Sequence, residues 1–253
     1  MNFNNYLNRN SIYSIFLIIA TILILPKWIS SYIFFDDDII LRAIYEASDI
    51  AYLPIINSFS DLNFVNSYSE NVTNLKLISF PVIGLAINSL FFKILGGYSF
   101  IFLELVCTFL FLLIFYNIFF NLNFSKIASI VLPIIFFILP DILNEFVFLD
   151  IEPLKLLSLN FESFYSTRFP RPAISNLFFF SFIYFIIKFY KDDEKYLRTL
   201  FIISILIGLM VNIFFYLAFI ELFLLLFVFL LKFKKKLFII LVKNYKYLFY
   251  CLL

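Results

Sequence analysis

The chain has 253 residues, of which 64% are apolar and 14% charged, and its formal net charge is +2. A soluble domain has roughly 45–50% apolar residues, and a chain of this length still exposes much of its surface, so a soluble globular fold is excluded and lipid must cover the excess. The near-neutral charge gives nucleic acid no electrostatic footprint, the absence of His removes His bases, His metal ligands and Ser-His-Asp triads, and two Cys make no disulfide framework.

The expected fold is all-α: a polytopic transmembrane helical bundle, one membrane domain over 1–253, with external loops at about 36–76 and 149–172. The chain is read as C-terminally incomplete, because its last apolar run has no polar tail. Forty Phe residues accompany abundant Ile, Asn and Lys, a pattern of biased codon usage, so no single Phe is assigned a role.

A bilayer-crossing helix needs about 20 mostly apolar residues. Ile12 to Phe34 meets this, interrupted by Pro26 and Lys27. It lacks the short core and small-residue cleavage site of a secretory signal. The polar stretch Asp36 to Lys76 follows, with seven acids against Arg42 and Lys76, a net charge of −5. Cytoplasmic loops are rich in Lys and Arg, which puts this loop outside and the N-terminus with Arg9 inside. The chain is thus expected to be a multi-pass integral membrane protein, of a bacterial inner membrane.

Ile78 to Leu95 reads as the second span, Gly96-Gly97-Tyr98 as a tight turn, and Ser99 to Phe120 as the third span. Ile127 to Phe148 is apolar but holds Pro133, Pro140, Asp141 and Glu145. One crossing here would put the later Lys-rich loops outside. A pair of short helices broken at the prolines, returning to the same face, agrees with the charge bias. Ala173 to Tyr190 is a further span. Thr199 to Leu231 is too long for one straight crossing, so it reads as a hairpin with its tip near Asn212 to Tyr216; one long tilted helix is the competing reading. Leu237 to Leu253 is the last span.

Three loop segments carry candidate chemistry. Asp36-Asp37-Asp38 stands where the first span leaves the bilayer; like charges this close raise one another's pKa or hold a cation. Ile39, Ile40, Ala43, Ile44 and Ala47 then recur at helical spacing, opposite Arg42, Glu46 and Asp49, which predicts an amphipathic helix on the membrane surface. An ordinary N-cap on a solvated helix is the plainer alternative. Asp150-Ile151-Glu152 has the acid-x-acid spacing of a hard divalent cation site, Mg or Mn, though a polar loop holds such pairs by chance. Arg168-Phe169-Pro170-Arg171-Pro172 sets two arginines before a span, where they fit phosphate bidentately or simply anchor the interface.

Within the spans, Glu104 and Glu221 are ionisable groups of the rare, function-marking kind; Glu104 is also close enough to a span start to reach the interface. Asn71-Val72-Thr73 fits a glycosylation acceptor.

Taken in order, the layout resembles the GT-C superfamily of membrane glycosyltransferases. The resemblance rests on Asp36-Asp37-Asp38 closing the first span, on Phe80-Pro81-Val82 through Phe92-Lys93-Ile94-Leu95-Gly96-Gly97-Tyr98-Ser99 as a proline-led span and glycine turn, and on Asp150 and Glu152. It extends to Arg168-Phe169-Pro170-Arg171-Pro172 and to the aromatic tip Phe214-Phe215-Tyr216. It is one of pattern, and three consecutive aspartates stand where a defined acid would.

The resemblance implies transfer of a sugar from a polyprenyl-phosphate-linked donor to an acceptor on the external face. It implies a catalytic base among Asp36, Asp37 and Asp38, donor binding by Tyr165, Arg168 and Arg171, and a divalent metal on Asp150 and Glu152. Lipid-linked donor and membrane lipids are the implied partners. A transporter or flippase using Glu104 and Glu221, and a non-catalytic membrane scaffold, are the competing classes; no internal inverted repeat supports the former.

Overall fold

A computed structural model describes residues 9–34, 52–64, 81–145, 173–192 and 196–251. Among them the chain is entirely helical, in eight helices: α1 Arg9–Phe34, α2 Tyr52–Ser60, α3 Val82–Leu95, α4 Tyr98–Asn121, α5 Lys126–Glu145, α6 Ala173–Lys191, α7 Tyr196–Ile213 and α8 Phe215–Cys251. Stretches in α1, α4, α6, α7 and α8 are long and apolar enough to cross a membrane. Many of their large side chains face outward, Ile22, Phe201 and Phe223 among them, as expected where lipid is the solvent.

Aromatic packing joins the helices. Phe111 and Phe115 of α4 meet Phe180 of α6 at centroid distances of 6.1 and 4.7 Å. The same pair meets Phe137 and Phe136 of α5 at 5.8 and 5.4 Å. Ile12, Phe16 and Ala20 of α1 pack with Leu112 and Ile130. Several polar residues inside helices bond the carbonyl one turn back, as Thr21 does to Leu17 (2.8 Å), Asn88 to Gly84 (2.8 Å) and Asn117 to Leu113 (2.7 Å). That satisfies them without a partner helix.

Contacts between helix ends give the bundle its direction. The Lys191 ammonium at the end of α6 donates to the Asn121 carbonyl and to Asn123 Oδ1, beside the end of α4. Lys232 donates to the carbonyls of Phe189 (2.5 Å) and Asp192 (3.0 Å). The first half of α1 lies against the last half of α4, and its Ile24 and Trp28 lie against Phe100 near the start of α4. One end of the bundle therefore gathers Arg9, Lys126, Lys188, Lys191, Arg198 and Lys232, and is called here the basic end. The opposite, or loop, end takes the last residues of α1 and the first of α4.

Two of the expected elements take a different form. The segment expected to turn back at Pro133 and Pro140 is one helix, α5, running through both prolines. Its 20 residues span about 30 Å at 1.5 Å per residue, with Lys126–Leu139 as its apolar part. Starting beside Asn121, α5 ends at the loop end. Proline is tolerated there because neighbouring helices support the backbone it frees.

The expected second crossing, Ile78 to Leu95, is instead the 14-residue α3, about 21 Å long against a core of about 30 Å. Lys93 near its end donates to the Ser60 carbonyl of α2 (2.8 Å). The chain is thus at the loop end at Ser60 and again at Lys93, with no net crossing between them. Ile83, at the other end of α3, packs inside the bundle against Met210, Ile213 and Ala218 beside Phe178 and Phe179.

The glycine turn forms as expected. Gly96 has φ 57°, a conformation that side chains resist, and its N–H bonds the Phe92 carbonyl. The α7–α8 hairpin also forms, with its break at Phe214 inside the expected tip. The expected separate span from Leu237 does not: α8 continues through Lys234, Lys235 and Lys236 to Cys251, since lysine is a good helix former and no Gly or Pro intervenes. Helix α2 has no counterpart among the expected elements; it buries Ile55, Ile56 and Phe59 against Leu85 of α3.

Candidate functional site at the loop end

The two long polar stretches adjoin one end of the bundle. Helix α1 stops at Phe34, two residues before Asp36. Helix α5 stops at Glu145, five residues before Asp150. Helix α6 starts at Ala173, two residues after Arg171. Phe34 is at the loop end by the packing of Ile24 and Trp28 on Phe100. Glu145 is there by the length and direction of α5, and Ala173 because the far end of α6, Lys191, is at the basic end.

Asp36, Asp37, Asp38, Asp150, Glu152, Tyr165, Arg168 and Arg171, and the amphipathic helix expected over Ile39 to Asp49, all lie outside the described residues. Among the described residues no three His, Cys, Asp or Glu come together as metal ligands.

At this end α1, α2, α3 and the start of α4 pack together. Trp28, the single Trp of the chain, donates its indole N–H to the carboxylate of Glu104. The two side chains are 7% and 8% exposed, so the pair is buried and fixes the last two turns of α1 against α4. An apolar stripe alone specifies position along a helix poorly; a buried hydrogen bond between side chains adds a definite register. Glu104 therefore has a structural partner, a role its position in the sequence does not disclose.

Replacing Glu104 by Leu leaves the indole N–H without this acceptor, a loss of about 1–3 kcal/mol, whereas Glu104→Gln keeps an acceptor oxygen. Trp28 fluorescence reads the outcome directly. A changed emission maximum and lower thermal stability are expected for Glu104→Leu, with Glu104→Gln close to the parent; equal spectra in all three would remove the bond.

Polar groups of a second kind occur elsewhere in the bundle. The hydroxyls of Ser99 and Thr108 and both carboxyl oxygens of Glu221 are buried with no hydrogen-bond partner among the described residues. Glu104 and Glu221, paired in the sequence as two acids inside spans, thus differ: the first is bonded across helices, the second is enclosed among apolar side chains.

No family model, curated protein or solved structure matches the chain.

Proposed function

We propose that the chain is a GT-C-like membrane glycosyltransferase, which moves a sugar from a polyprenyl-phosphate-linked donor to an acceptor hydroxyl outside the cytoplasmic membrane. The observation that carries the reading is the convergence of Phe34, Glu145 and Ala173 at one end of the bundle. It lets the acids of the first polar stretch and the arginines of the second share one side of the bilayer.

The charge distribution supports the orientation. The end gathering Arg9, Lys126, Lys188, Lys191, Arg198 and Lys232 is the cytoplasmic one under the positive-inside bias, which sets the N-terminus inside and the polar connections outside. Lys27 and Lys93 stand toward the outer end, Lys93 engaged with Ser60.

In this reading an aspartate of Asp36, Asp37 and Asp38 accepts the proton of the acceptor hydroxyl as its oxygen bonds to the anomeric carbon. The bond from that carbon to the donor phosphate breaks, and polyprenyl phosphate leaves with the electron pair. Arg168 and Arg171, with Tyr165 beside them, hold the phosphate as charge builds on it. Asp150 and Glu152 would hold a divalent cation, whose chemistry is charge neutralisation at the phosphate. The isoprenoid tail stays in the bilayer against the outward apolar faces.

The test is transfer from polyprenyl-linked sugars by the full chain in vesicles. Labelled acceptor that depends on the donor supports the reading. A donor that crosses the bilayer intact, with no acceptor labelled, points to a flippase instead.

A further inference from the structure

Over Phe215–Phe233, helix α8 faces largely outward. Of its residues from Phe215 to Phe233, the two that are buried are Ala218 and Glu221. They lie one turn apart on one stripe. On one side of Glu221, Ala218 packs with Met210 and Ile213 of α7. On the other, Leu224, Leu225 and Val228 pack around Phe182 and Ile186 of α6 and Ile203 and Ile207 of α7. The single acid of this stretch is thus turned inward, fully enclosed at 0% exposure, with both oxygens unbonded among the described residues.

Avoiding lipid explains the direction of the side chain but not its presence, since a Leu would fill the stripe without stripping a carboxyl of its water. An acid kept inside a span at such cost marks a ligand or a translocated charge.

The surroundings narrow the ligand. The apolar clusters on either side draw Phe178, Phe179, Phe182 and Ile186 from α6 and Ile203, Ile207, Met210 and Ile213 from α7, none of them charged. Tyr184 of α6 packs in the separate cluster of Cys107 and Phe111. Lys188, Lys191, Tyr196 and Arg198 belong to the basic end, where Lys232 bonds the Phe189 and Asp192 carbonyls. Tyr216 is 61% exposed, and Lys93 of α3 is at the loop end. A metal ion needs several oxygen ligands and an organic cation needs volume; an enclosed single carboxyl offers neither. A proton needs neither.

We propose that Glu221 is a reversible proton-binding site inside the bundle, neutral while α8 is seated on α6 and α7 and open to exchange when α8 lifts. The neutral acid is the form an apolar cage accommodates. Helix α8, with two buried residues in this stretch, is the crossing helix least held by protein.

Infrared difference spectroscopy on the full chain in lipid vesicles tests this, comparing the parent with Glu221→Gln at neutral pH. The expected result is a neutral-acid carbonyl band in the parent, shifted by D2O, lost reversibly in alkali and missing from Glu221→Gln. Identical spectra, or a band that neither D2O nor alkali alters, would overturn the proposal.

If Glu221→Gln does not fold, a hydrophobic carbodiimide applied to the parent gives the same decision. The acid oxygen bonds to the carbodiimide carbon, the acid proton moves to its nitrogen, and rearrangement leaves an N-acylurea. Mass mapping is expected to find the adduct at Glu221 and to find it diminishing as pH rises. An unmodified Glu221 across the pH range overturns the proposal.

Discussion

Changing Asp36, Asp37 and Asp38 together to Asn is expected to lower sugar transfer by about 100-fold or more, with membrane insertion intact. A positioned general base contributes roughly 10²–10⁴-fold, and Asn has nearly the same shape as Asp but does not take a proton at neutral pH. The single variants Asp36→Asn, Asp37→Asn and Asp38→Asn identify which carboxylate serves as the base. Arg168→Ala and Arg171→Ala are expected to act differently, weakening donor binding as well as slowing the step, since a guanidinium holds the phosphate before and during bond breaking. Initial rates at varied donor concentration separate the two effects. Full activity in all three Asn variants would reject the base assignment.

A large stability change is expected at Phe111. It is fully buried and touches Phe115, Phe137 and Phe180 at centroid distances of 6.3, 5.8 and 6.1 Å. In a water-soluble core Phe→Ala costs about 3–5 kcal/mol. Part of that is transfer from water, which does not apply when the exposed alternative is lipid. The lost dispersion contacts and the cavity remain, so Phe111→Ala should cost roughly 2 kcal/mol. Phe223, 71% exposed on α8, makes the control: Phe223→Ala should change stability by less than about 0.5 kcal/mol, lipid taking the vacated space. Equal effects at the two sites would mean that the α4–α5–α6 aromatic cluster does not form. Thermal unfolding in mild detergent measures both.

Much of the fold is legible from apolar run length, because a helix satisfies its own backbone in lipid and length decides whether it crosses. That is why α1, α4, α6 and the α7–α8 hairpin fall where the runs fall, and why Gly96-Gly97 turns as its residues dictate. Two elements show where run length stops informing. Pro133 and Pro140 read as breaks because proline removes a helix bond, yet a bundle supplies support that the sequence does not show. The run Ile78 to Leu95 is long enough to cross, but its helix begins only at Val82. The depth of a short helix is set by its contacts, here Ile83 with Met210 and Lys93 with Ser60.

Charge carried information that hydropathy lacked. The charge bias groups the basic loops, while contacts at Lys191, Lys93 and Lys232 show which helix ends lie together. For the candidate site, residue types were readable and partnerships were not: Glu104 and Glu221 look alike in sequence, and only the position of Trp28 on a distant helix separates them.

Thiol accessibility tests the shared side of the two polar stretches most directly. Single cysteines at Asp37→Cys, Arg168→Cys and Asn123→Cys, with Cys107 and Cys251 replaced by Ala, are exposed to a membrane-impermeant maleimide on intact cells and again after permeabilisation. Asp37→Cys and Arg168→Cys are expected to react in intact cells, and Asn123→Cys, at the basic end, only after permeabilisation. Labelling of Asp37→Cys and Arg168→Cys from opposite sides of the membrane would contradict the account.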